Sequence, residues 1–397
     1  MFQWFLTSEG KNYTDNIERF YRIGEELLVV PSEEEIKSAI LNRKKFNVIA
    51  PYPPPEKFKN LFVLQDIDAF DGLTLTTQEL EFLLHFEDKN EREKMETILI
   101  REKLGLRVHK PTVKLSELGG MKRLKEFAEY VKKVNHIPEL RIKGIFLVGI
   151  PGTGKSYSAM AFAGELNRLL IELNISKIME SVNPVTTLQH AFMFIEKLRK
   201  PCIIWIDEVE KAFSLVDPIE KRVYGQLLTI MNDLNTEIGF KIDGFFWVTA
   251  NDITYIMERS PEFLRRGRFD ALFFVDVPDT ETAKELFEIY LRKYNLTIYK
   301  NNIPLDVKTA SAELVFLSSV EWHEESATTG AVEGKSFVYT PAEIHQIIKE
   351  LARKEKTKGF VSLDDAIEVI KGLEPIGSSM TDAIAMMRKQ SRYFVKV

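Results

Sequence analysis

The sequence predicts an α/β fold in which helices cover both faces of a parallel sheet. From about residue 111 to 279, short apolar runs typical of buried strands alternate with helix-compatible segments. The first of these runs leads directly into a glycine-rich loop and a helix, and beyond residue 280 the strand patterns fade. The predicted strands are Ile145–Val148, Leu169–Leu173, Ile203–Ile206, Phe245–Thr249 and Leu272–Val275.

The glycine-rich loop GIPGTGKS fits G-x-x-x-x-G-K-[ST], the phosphate-binding P-loop. Its glycines let the backbone turn so that successive N–H groups face a polyphosphate, and the following helix adds the positive end of its dipole. A lysine and a hydroxyl at its end suit the β- and γ-phosphates and Mg²⁺. We therefore predict an ATP site with Mg²⁺ bound near Ser156. The predicted nucleotide-binding residues here are Gly149, Pro151, Gly152, Thr153, Gly154, Lys155, Ser156 and Tyr157.

A second element of this site is the apolar run CIIWIDE at Cys202–Glu208. A buried strand that ends in Asp207 places a carboxylate beside the P-loop, where it can hold Mg²⁺ through water. The next acid, Glu208, is placed to orient and deprotonate an attacking water. This signal is weak alone and strong within the alternating pattern.

Asn251 follows the predicted strand at Phe245 and is the natural polar tip of a neighbouring strand. Its amide could bridge the γ-phosphate and the attacking water. The alternative is a turn-forming asparagine before Asp252, which would be preferred if the residue stood alone.

Composition limits the other possibilities. The 397 residues suggest two or three domains, and a net charge of −5 argues against bulk electrostatic binding of nucleic acid. Residues 1–10 do not resemble a signal peptide and no apolar run approaches a membrane span, so we expect a cytoplasmic protein. The six histidines show no metal-site spacing, and Cys202 is expected to be a buried structural thiol.

The first 110 residues mix strand and helix patterns. A run at Leu61 to Phe70 has four apolar residues followed by an acid, Asp66. A strand entering a polar loop explains it better than a decayed nucleotide site. The predicted strands are Leu27–Val30, Phe46–Ala50 and Leu61–Leu64, and the predicted helices are Ser32–Leu41 and Thr76–Phe86, with a largely helical connector over Glu79–Leu104.

The last 118 residues have mainly helical patterns. The polar segment Glu321–Lys335 is rich in Gly, Ser and Thr, so we expect a mobile loop there. The predicted helices are Glu281–Tyr294, Pro341–Arg353, Leu363–Lys371 and Met380–Gln390.

The combination of GIPGTGKS, IIWIDE, WVTAND and LRRGRFD resembles an AAA ATPase of the AAA+ superfamily. More narrowly, SELGGMKRLKEF, FLRRGRFDALFFVDVP and TPAEI resemble the plastid and cyanobacterial "hypothetical chloroplast frame" AAA ATPases. The resemblance runs from about Ser116 to Phe394. It implies a P-loop AAA+ parallel-sheet large subdomain at residues 111–279 and a C-terminal helical lid at 280–397. A smaller α/β N-terminal domain at 1–110, which in that family looks like a degenerate P-loop domain, would precede them.

The resemblance also implies roles for residues outside the P-loop. Gly119 and Gly120 would lie near the adenine, and Thr340 and Ala342 near the ribose. Arg265 and Arg268 match the two arginines of the segment L-R-x-G-R-[FL]-D, which reach the γ-phosphate of a neighbouring subunit as arginine fingers. Arg266 replaces a usual proline, and no lid arginine is evident.

One segment departs from the family pattern. AAA proteins that thread substrates carry an aromatic-apolar-glycine loop before the second helix. Here that place reads ESVNP, Glu180–Pro184, with neither an aromatic residue nor a glycine. We therefore expect no grip-and-pull mechanism.

These observations predict a Mg²⁺-dependent AAA ATPase that acts as a homo-oligomeric ring, expected to be an ATP-dependent hexamer. It would hydrolyse ATP to ADP and phosphate and remodel or regulate a protein partner. The alternative is an ATP-gated assembly scaffold with little turnover. A nucleic-acid motor is disfavoured by the acidic balance and the missing loop, and no membrane association is expected.

Overall fold

The computed structural model of the chain describes residues 2–6, 26–29, 31–42, 46–50, 55, 57–58, 62–66, 89–135, 137–212, 217–252, 254–259, 261–264, 267–326 and 339–397. The chain divides into two compact units. The first contains Met1–Arg107 and Glu180–Arg199, and the second contains Val108–Met179 and Lys200–Val397.

The first unit contains a four-stranded parallel sheet in the order β2-β3-β1-β4. A capping box between Ser32 and Glu35 begins helix α1, which packs Ile36 against a small apolar core with Phe46 and Val48. The predicted helix Thr76–Phe86 lies outside the described residues. The elements of this unit are β1 (Phe2–Leu6), β2 (Glu26–Val29), α1 (Glu33–Leu41), β3 (Phe46–Ala50), β4 (Phe62–Asp66) and α2 (Lys89–Leu104).

The second unit is organised around a seven-stranded sheet in the order β14-β10-β6-β9-β8-β7-β5. The pairings from β14 through to β7 are parallel. All five predicted strands are present, and the predicted α/β class with a mostly parallel central sheet is confirmed. The strands are β5 (Leu106–His109), β6 (Gly144–Gly149), β7 (Leu169–Leu173), β8 (Cys202–Ile206), β9 (Gly244–Ala250), β10 (Ala271–Val275) and β14 (Val395–Lys396).

The central strands are apolar along their whole length because both faces of a parallel sheet are covered. Every residue of β6 and of β8 is buried. Large side chains such as Phe162 and Trp247 fill the core, and each such burial contributes roughly 1.5–3 kcal/mol. At the carboxyl end of β6, a Cβ on Gly149 would lie 2.1 Å from the Val275 carbonyl oxygen. Only glycine therefore fits where the P-loop leaves the sheet.

Helices lie between and after these strands. Three of them begin at a side-chain cap, with Asn183, Asp217 and Asp279 as the cap residues. The helix α6, which belongs to the first unit, is included here in chain order. The helices are α3 (Lys122–Val134), α4 (Lys155–Glu165), α5 (Ile175–Met179), α6 (Pro184–Leu198), α7 (Val209–Ala212), α8 (Pro218–Asp233), α9 (Thr254–Arg259) and α10 (Thr280–Tyr294).

A separate apolar core holds the C-terminal helices together, with Phe287, Leu314 and Ile347 among its buried members. The four helices predicted here are present. The prediction of a loop over Glu321–Lys335 is wrong in its first part, because a helix continues to Ser326 through residues that favour helix. Residues 327–335 lie outside the described part of the chain. The remaining elements are β11 (Ile298–Lys300), β12 (Ile303–Pro304), α11 (Val307–Ser326), α12 (Pro341–Lys358), β13 (Val361–Ser362), α13 (Leu363–Lys371), α14 (Ile376–Ser379) and α15 (Thr381–Gln390).

None of the helices within the described residues is both long enough and apolar enough to span a bilayer.

Candidate nucleotide site

The P-loop joins the buried end of β6 to the start of α4. Gly152 and Gly154 have φ angles of +79° and +92°, a left-handed backbone that side chains with a Cβ rarely adopt. The Thr153 hydroxyl donates to the Ile150 carbonyl at 2.7 Å and fixes the turn. The loop is therefore a tight backbone cradle of the kind that binds anions at the start of a helix.

Lys155 is the first residue of α4 and is only 6% exposed. Its Nζ donates to the Gly149 and Ile150 carbonyls at 2.7 and 3.0 Å. Burial lowers the pKa of Lys155 to about 8, although the nearby carboxylates of Glu210, Asp207 and Glu208 act to raise it. The ammonium group is thus held inside the loop by the backbone.

Ser156 and Asp207 come together beside the loop. The Ser156 hydroxyl lies 3.0 Å from Asp207 Oδ2, and the Thr249 hydroxyl, on β9, donates to Asp207 Oδ1. Mg²⁺ prefers hydroxyl, carboxylate and water oxygens, so these residues fit that ion. The sequence analysis predicted that Ser156 and Asp207 lie together and did not identify Thr249. Thr249 could have been identified as a hydroxyl near the end of the strand in WVTAND, two residues before Asn251.

Glu208 and Asn251 are joined directly. The Asn251 Nδ2 donates to Glu208 Oε1 at 2.8 Å, and Lys211 Nζ donates to Oε2 at 2.6 Å. The hydrogen bond from Lys211 lowers the pKa of Glu208, burial opposes it, and the bond from Asn251 adds to it. Glu208 also donates its backbone N–H to Thr249 at 3.1 Å and has a left-handed backbone with φ +48°. The carboxylate is therefore ionised and held at both oxygens.

Glu210 is a further member of the site that the sequence analysis did not identify. Its Oε1 accepts the backbone N–H of Asn251 at 2.9 Å, while its Oε2 is buried and has no hydrogen-bond partner among the described residues. Burial raises the pKa of Glu210, and the backbone hydrogen bond from Asn251 opposes this. The available signal was a third acid in IDEVEK. Its contact fixes the backbone of Asn251, whose side chain in turn holds Glu208.

The predicted adenine-side and ribose-side residues border the same loop. Gly120 donates its N–H to Glu285 on α10 at 2.8 Å, and Gly119 lines a cavity of about 220 Å³ together with Thr153 and Pro341. The Ala342 N–H, at the start of α12, donates to the Gly152 carbonyl at 3.1 Å.

The remaining predicted binding residues are Thr340, Pro151 and Tyr157. Thr340 is fully buried and caps α12 in a capping box with Glu343. Pro151 lies in the loop, and Tyr157, two residues into α4, is half-buried with its pKa raised by burial. The nucleotide-binding roles of all these residues remain predictions.

Of the two predicted arginine fingers, Arg268 lies within the described residues and Arg265 does not. Arg268 is 9% exposed; its Nε donates to Asn232 Oδ1 at 2.8 Å and its Nη1 donates to the Glu262 carbonyl. The structure therefore places Arg268 against its own chain. Arg265 lies outside the described residues. A role for either in a neighbouring subunit's site remains a prediction.

Residues 145–277 match the family model for the ATPase family associated with various cellular activities (AAA). The chain contains an AAA domain. The match begins in β6, ends just after β10, and includes the P-loop, Asp207, Glu208 and Asn251.

Curated relatives share this part of the chain. An uncharacterized AAA domain-containing protein ycf46 of Guillardia theta is 32% identical over 207 residues, which are 49% of this chain and 39% of the relative. The ycf46 protein of Gracilaria tenuistipitata var. liui is 33% identical over 181 residues, 44% of this chain and 34% of the relative. A proteasome-activating nucleotidase of Saccharolobus islandicus is 31% identical over 220 residues, 52% of this chain and 54% of the relative. The matched region thus spans about half or less of each relative's length.

Proposed function

We propose that this AAA protein is a Mg²⁺-dependent ATPase that hydrolyses ATP to ADP and phosphate and uses the cycle to remodel or regulate a protein partner. The observation that carries the proposal is the hydrogen-bonded pair of Glu208 and Asn251 beside Lys155, Ser156 and Asp207. A phosphate-binding loop alone would support nucleotide binding. A held carboxylate next to it supports hydrolysis, because an attacking water needs a positioned base.

The binding step uses the loop and its lysine. Backbone N–H groups of the P-loop face the phosphates, and Lys155 adds a positive charge already buried at the loop. Ser156 and Asp207 would hold Mg²⁺, which would neutralise phosphate charge when bound.

The hydrolytic step is assigned to Glu208. Its lowered pKa keeps the carboxylate ionised at neutral pH, so it can accept a proton from water. Asn251 orients the carboxylate through Oε1, and Glu210 orients Asn251 through the backbone. The steady-state turnover of Glu208→Gln tests this assignment.

We further propose that the protein acts as a homo-oligomeric ring, a hexamer, in which an arginine completes the neighbouring subunit's site. Subunit mixing tests this. A double variant, Arg265→Ala with Lys155→Ala, is added to wild type. Turnover per wild-type subunit is expected to fall below that of wild type alone, because a double-variant subunit supplies no arginine finger to the wild-type site beside it. The matched control is Lys155→Ala alone, which keeps Arg265. Equal turnover per wild-type subunit with both additives would contradict a finger at Arg265.

Arg268 needs a separate measurement because its side chain is buried and bonded to Asn232 and Glu262. We expect Arg268→Ala to lower the free energy of unfolding by about 1.5–3 kcal/mol, the usual contribution of a hydrogen bond to a charged group. Chemical denaturation measures this. A variant as stable as wild type that has nevertheless lost its turnover would instead favour the finger role.

We also propose that the protein does not thread its partner through a pore. Within the first unit, Val182 is fully exposed, Asn183 caps α6 by accepting from Thr186, and Pro184 begins that helix. A gripping aromatic side chain would offer roughly 150–250 Å² of apolar surface, which valine does not. Local prising of a folded partner fits this segment better.

A fusion reporter tests the absence of threading. A partner captured by Glu208→Gln is fused to a stable fluorescent protein, and its fluorescence is followed with ATP. We expect the fluorescence to persist. ATP-dependent loss of fluorescence that Val182→Asp abolishes would show that this segment grips the chain.

A further inference from the structure

The last helix and strand of the chain form a strap across the edge of the AAA sheet. The strap, Thr381–Lys396, consists of α15, a short 3-10 turn and β14. Strand β14 pairs with β10 through only two residue pairs, Phe273 with Val395 and Phe274 with Lys396. The ring of Phe394 lies 6.0 Å from that of Phe146, measured between centroids.

The strap is also held by a buried carboxylate that directly follows β10. Asp276 is 8% exposed, accepts three hydrogen bonds from Arg388 at 2.9–3.2 Å, and accepts one from Lys396 at 2.8 Å. Burial acts to raise the pKa of Asp276, but the hydrogen bonds from these two cations outweigh it and the pKa is lowered. Both cations come from the strap, so this Asp276 cluster joins the strap to the sheet.

An open groove runs along the strap at this point. A cavity of about 520 Å³ lies against it, lined by Phe274, Asp276, Arg388, Ser391, Phe394 and Lys396. Besides the short strand ladder, the strap is held by the buried side chains of Ile384 and Met387, by Gln390 donating to Thr254 at 2.7 Å, and by the charge-assisted hydrogen bonds of the Asp276 cluster.

The same cluster borders the P-loop. Asp276, Arg388 and Lys396 line the 220 Å³ cavity whose wall also includes Thr153 of the P-loop, Gly119 and Pro341. This volume is below the roughly 300–1,000 Å³ of pockets that enclose a whole drug-sized ligand. It suits one part of a ligand whose phosphates lie on the P-loop, which for a nucleotide is the base with its sugar.

We infer that the strap forms one wall of the base-side pocket, so that a bound nucleotide and the docked strap stabilise each other. The inference rests on the proposed nucleotide binding at the P-loop. A base in the cavity contacts the strap only while the strap is docked. Linkage therefore requires that undocking the strap weakens nucleotide binding by the same factor by which the nucleotide favours docking.

Docking of the strap can be measured by proteolysis, because trypsin cleaves after Arg388, Lys389, Arg392 and Lys396. Limited tryptic digestion followed by mass spectrometry measures cleavage within the strap. We expect a non-hydrolysable ATP analogue with Mg²⁺ to slow this cleavage about five- to 150-fold, the usual range of coupling between sites. Inorganic tripolyphosphate, which lacks a base and a sugar, is expected to give little protection. Equal protection by both compounds would overturn the inference.

Variants of the cluster give a second measurement. Asp276→Asn keeps the shape and removes the charge that holds both cations, so we expect faster strap cleavage and a lower nucleotide affinity, reduced by at most the factor by which the nucleotide slows cleavage in wild type. Arg388→Gln acts from the strap side and serves if Asp276→Asn does not fold. The matched control is Arg392→Ala, because Arg392 is exposed on the same strap and does not line the cavity. Cleavage is scored after Lys389 in every variant, because Arg392→Ala and Arg388→Gln each remove a tryptic site.

The outcomes separate this inference from the proposed function. If wild type binds the analogue while strap cleavage is unchanged and the cluster variants bind normally, the coupling is wrong and ATP binding stands. If wild type does not bind the analogue at all, the proposed function itself fails.

Discussion

Glu208→Gln is expected to bind ATP as wild type does and to hydrolyse it at least ~100-fold more slowly, the usual range for loss of a general base. The amide has the size and the hydrogen-bonding oxygen of the carboxylate, so Asn251 can still donate to it, but it cannot take a proton from water. Steady-state phosphate release and nucleotide titration measure the two effects separately. Turnover near that of wild type would remove Glu208 from the base role.

Two neighbouring variants are matched controls for this experiment. Lys211→Ala removes the other hydrogen bond to Glu208, from an exposed side chain, and leaves the base in place. Glu210→Gln keeps an acceptor for the Asn251 N–H. Both are therefore expected to retain most turnover. A loss in Glu210→Gln as large as that in Glu208→Gln would show that the carboxylate of Glu210 is also essential.

Lys155→Ala is expected to lower ATP affinity by roughly 10- to 150-fold, which corresponds to losing a charge-assisted hydrogen bond of about 1.5–3 kcal/mol. Isothermal titration or a fluorescent nucleotide measures the dissociation constant. Unlike Glu208→Gln, this variant is expected to be impaired in ATP binding, so it is not suited to trapping an ATP-bound complex. Affinity equal to wild type would show that the phosphates do not lie against Lys155.

The affinity of wild type should also depend on pH in a defined direction. The pKa of Lys155 is about 8 in the ligand-free chain. A bound polyphosphate raises that pKa, since it favours the charged form. Below about pH 8 the lysine is charged in both states and affinity is flat. Above about pH 8 binding must take up a proton, so affinity falls by up to tenfold per pH unit. Lys155→Ala should lose this slope, and a slope that survives in the variant would come from another group.

The central strands and the P-loop were predictable because their signals are local. A parallel strand buried on both faces must be apolar throughout, as β6 and β8 are, and a phosphate loop must carry glycines where φ is positive. The carboxyl ends of parallel strands meet at one edge, which is why Asp207 and Asn251 could be expected near Lys155.

Other features depend on contacts that no short stretch of sequence contains. Strand β14 has only two residues, and it lies beside β10 together with a hydrogen bond from Lys396 to Asp276, which is 120 residues away in the sequence. Glu210 looks like any helix-start acid until its contact with the Asn251 backbone is known. The burial of Arg268 likewise depends on Asn232, which no motif marks.

The left-handed backbone of Glu208 affects how this site can evolve. A non-glycine residue with φ +48° carries local strain, of order 1–3 kcal/mol in such regions. Glycine at this position would relieve the strain and remove the carboxylate. Selection for a more durable chain and selection for turnover therefore act in opposite directions at residue 208. A lineage that no longer needed hydrolysis would gain stability by giving up this side chain, and the rest of the phosphate cradle could persist as a binding module.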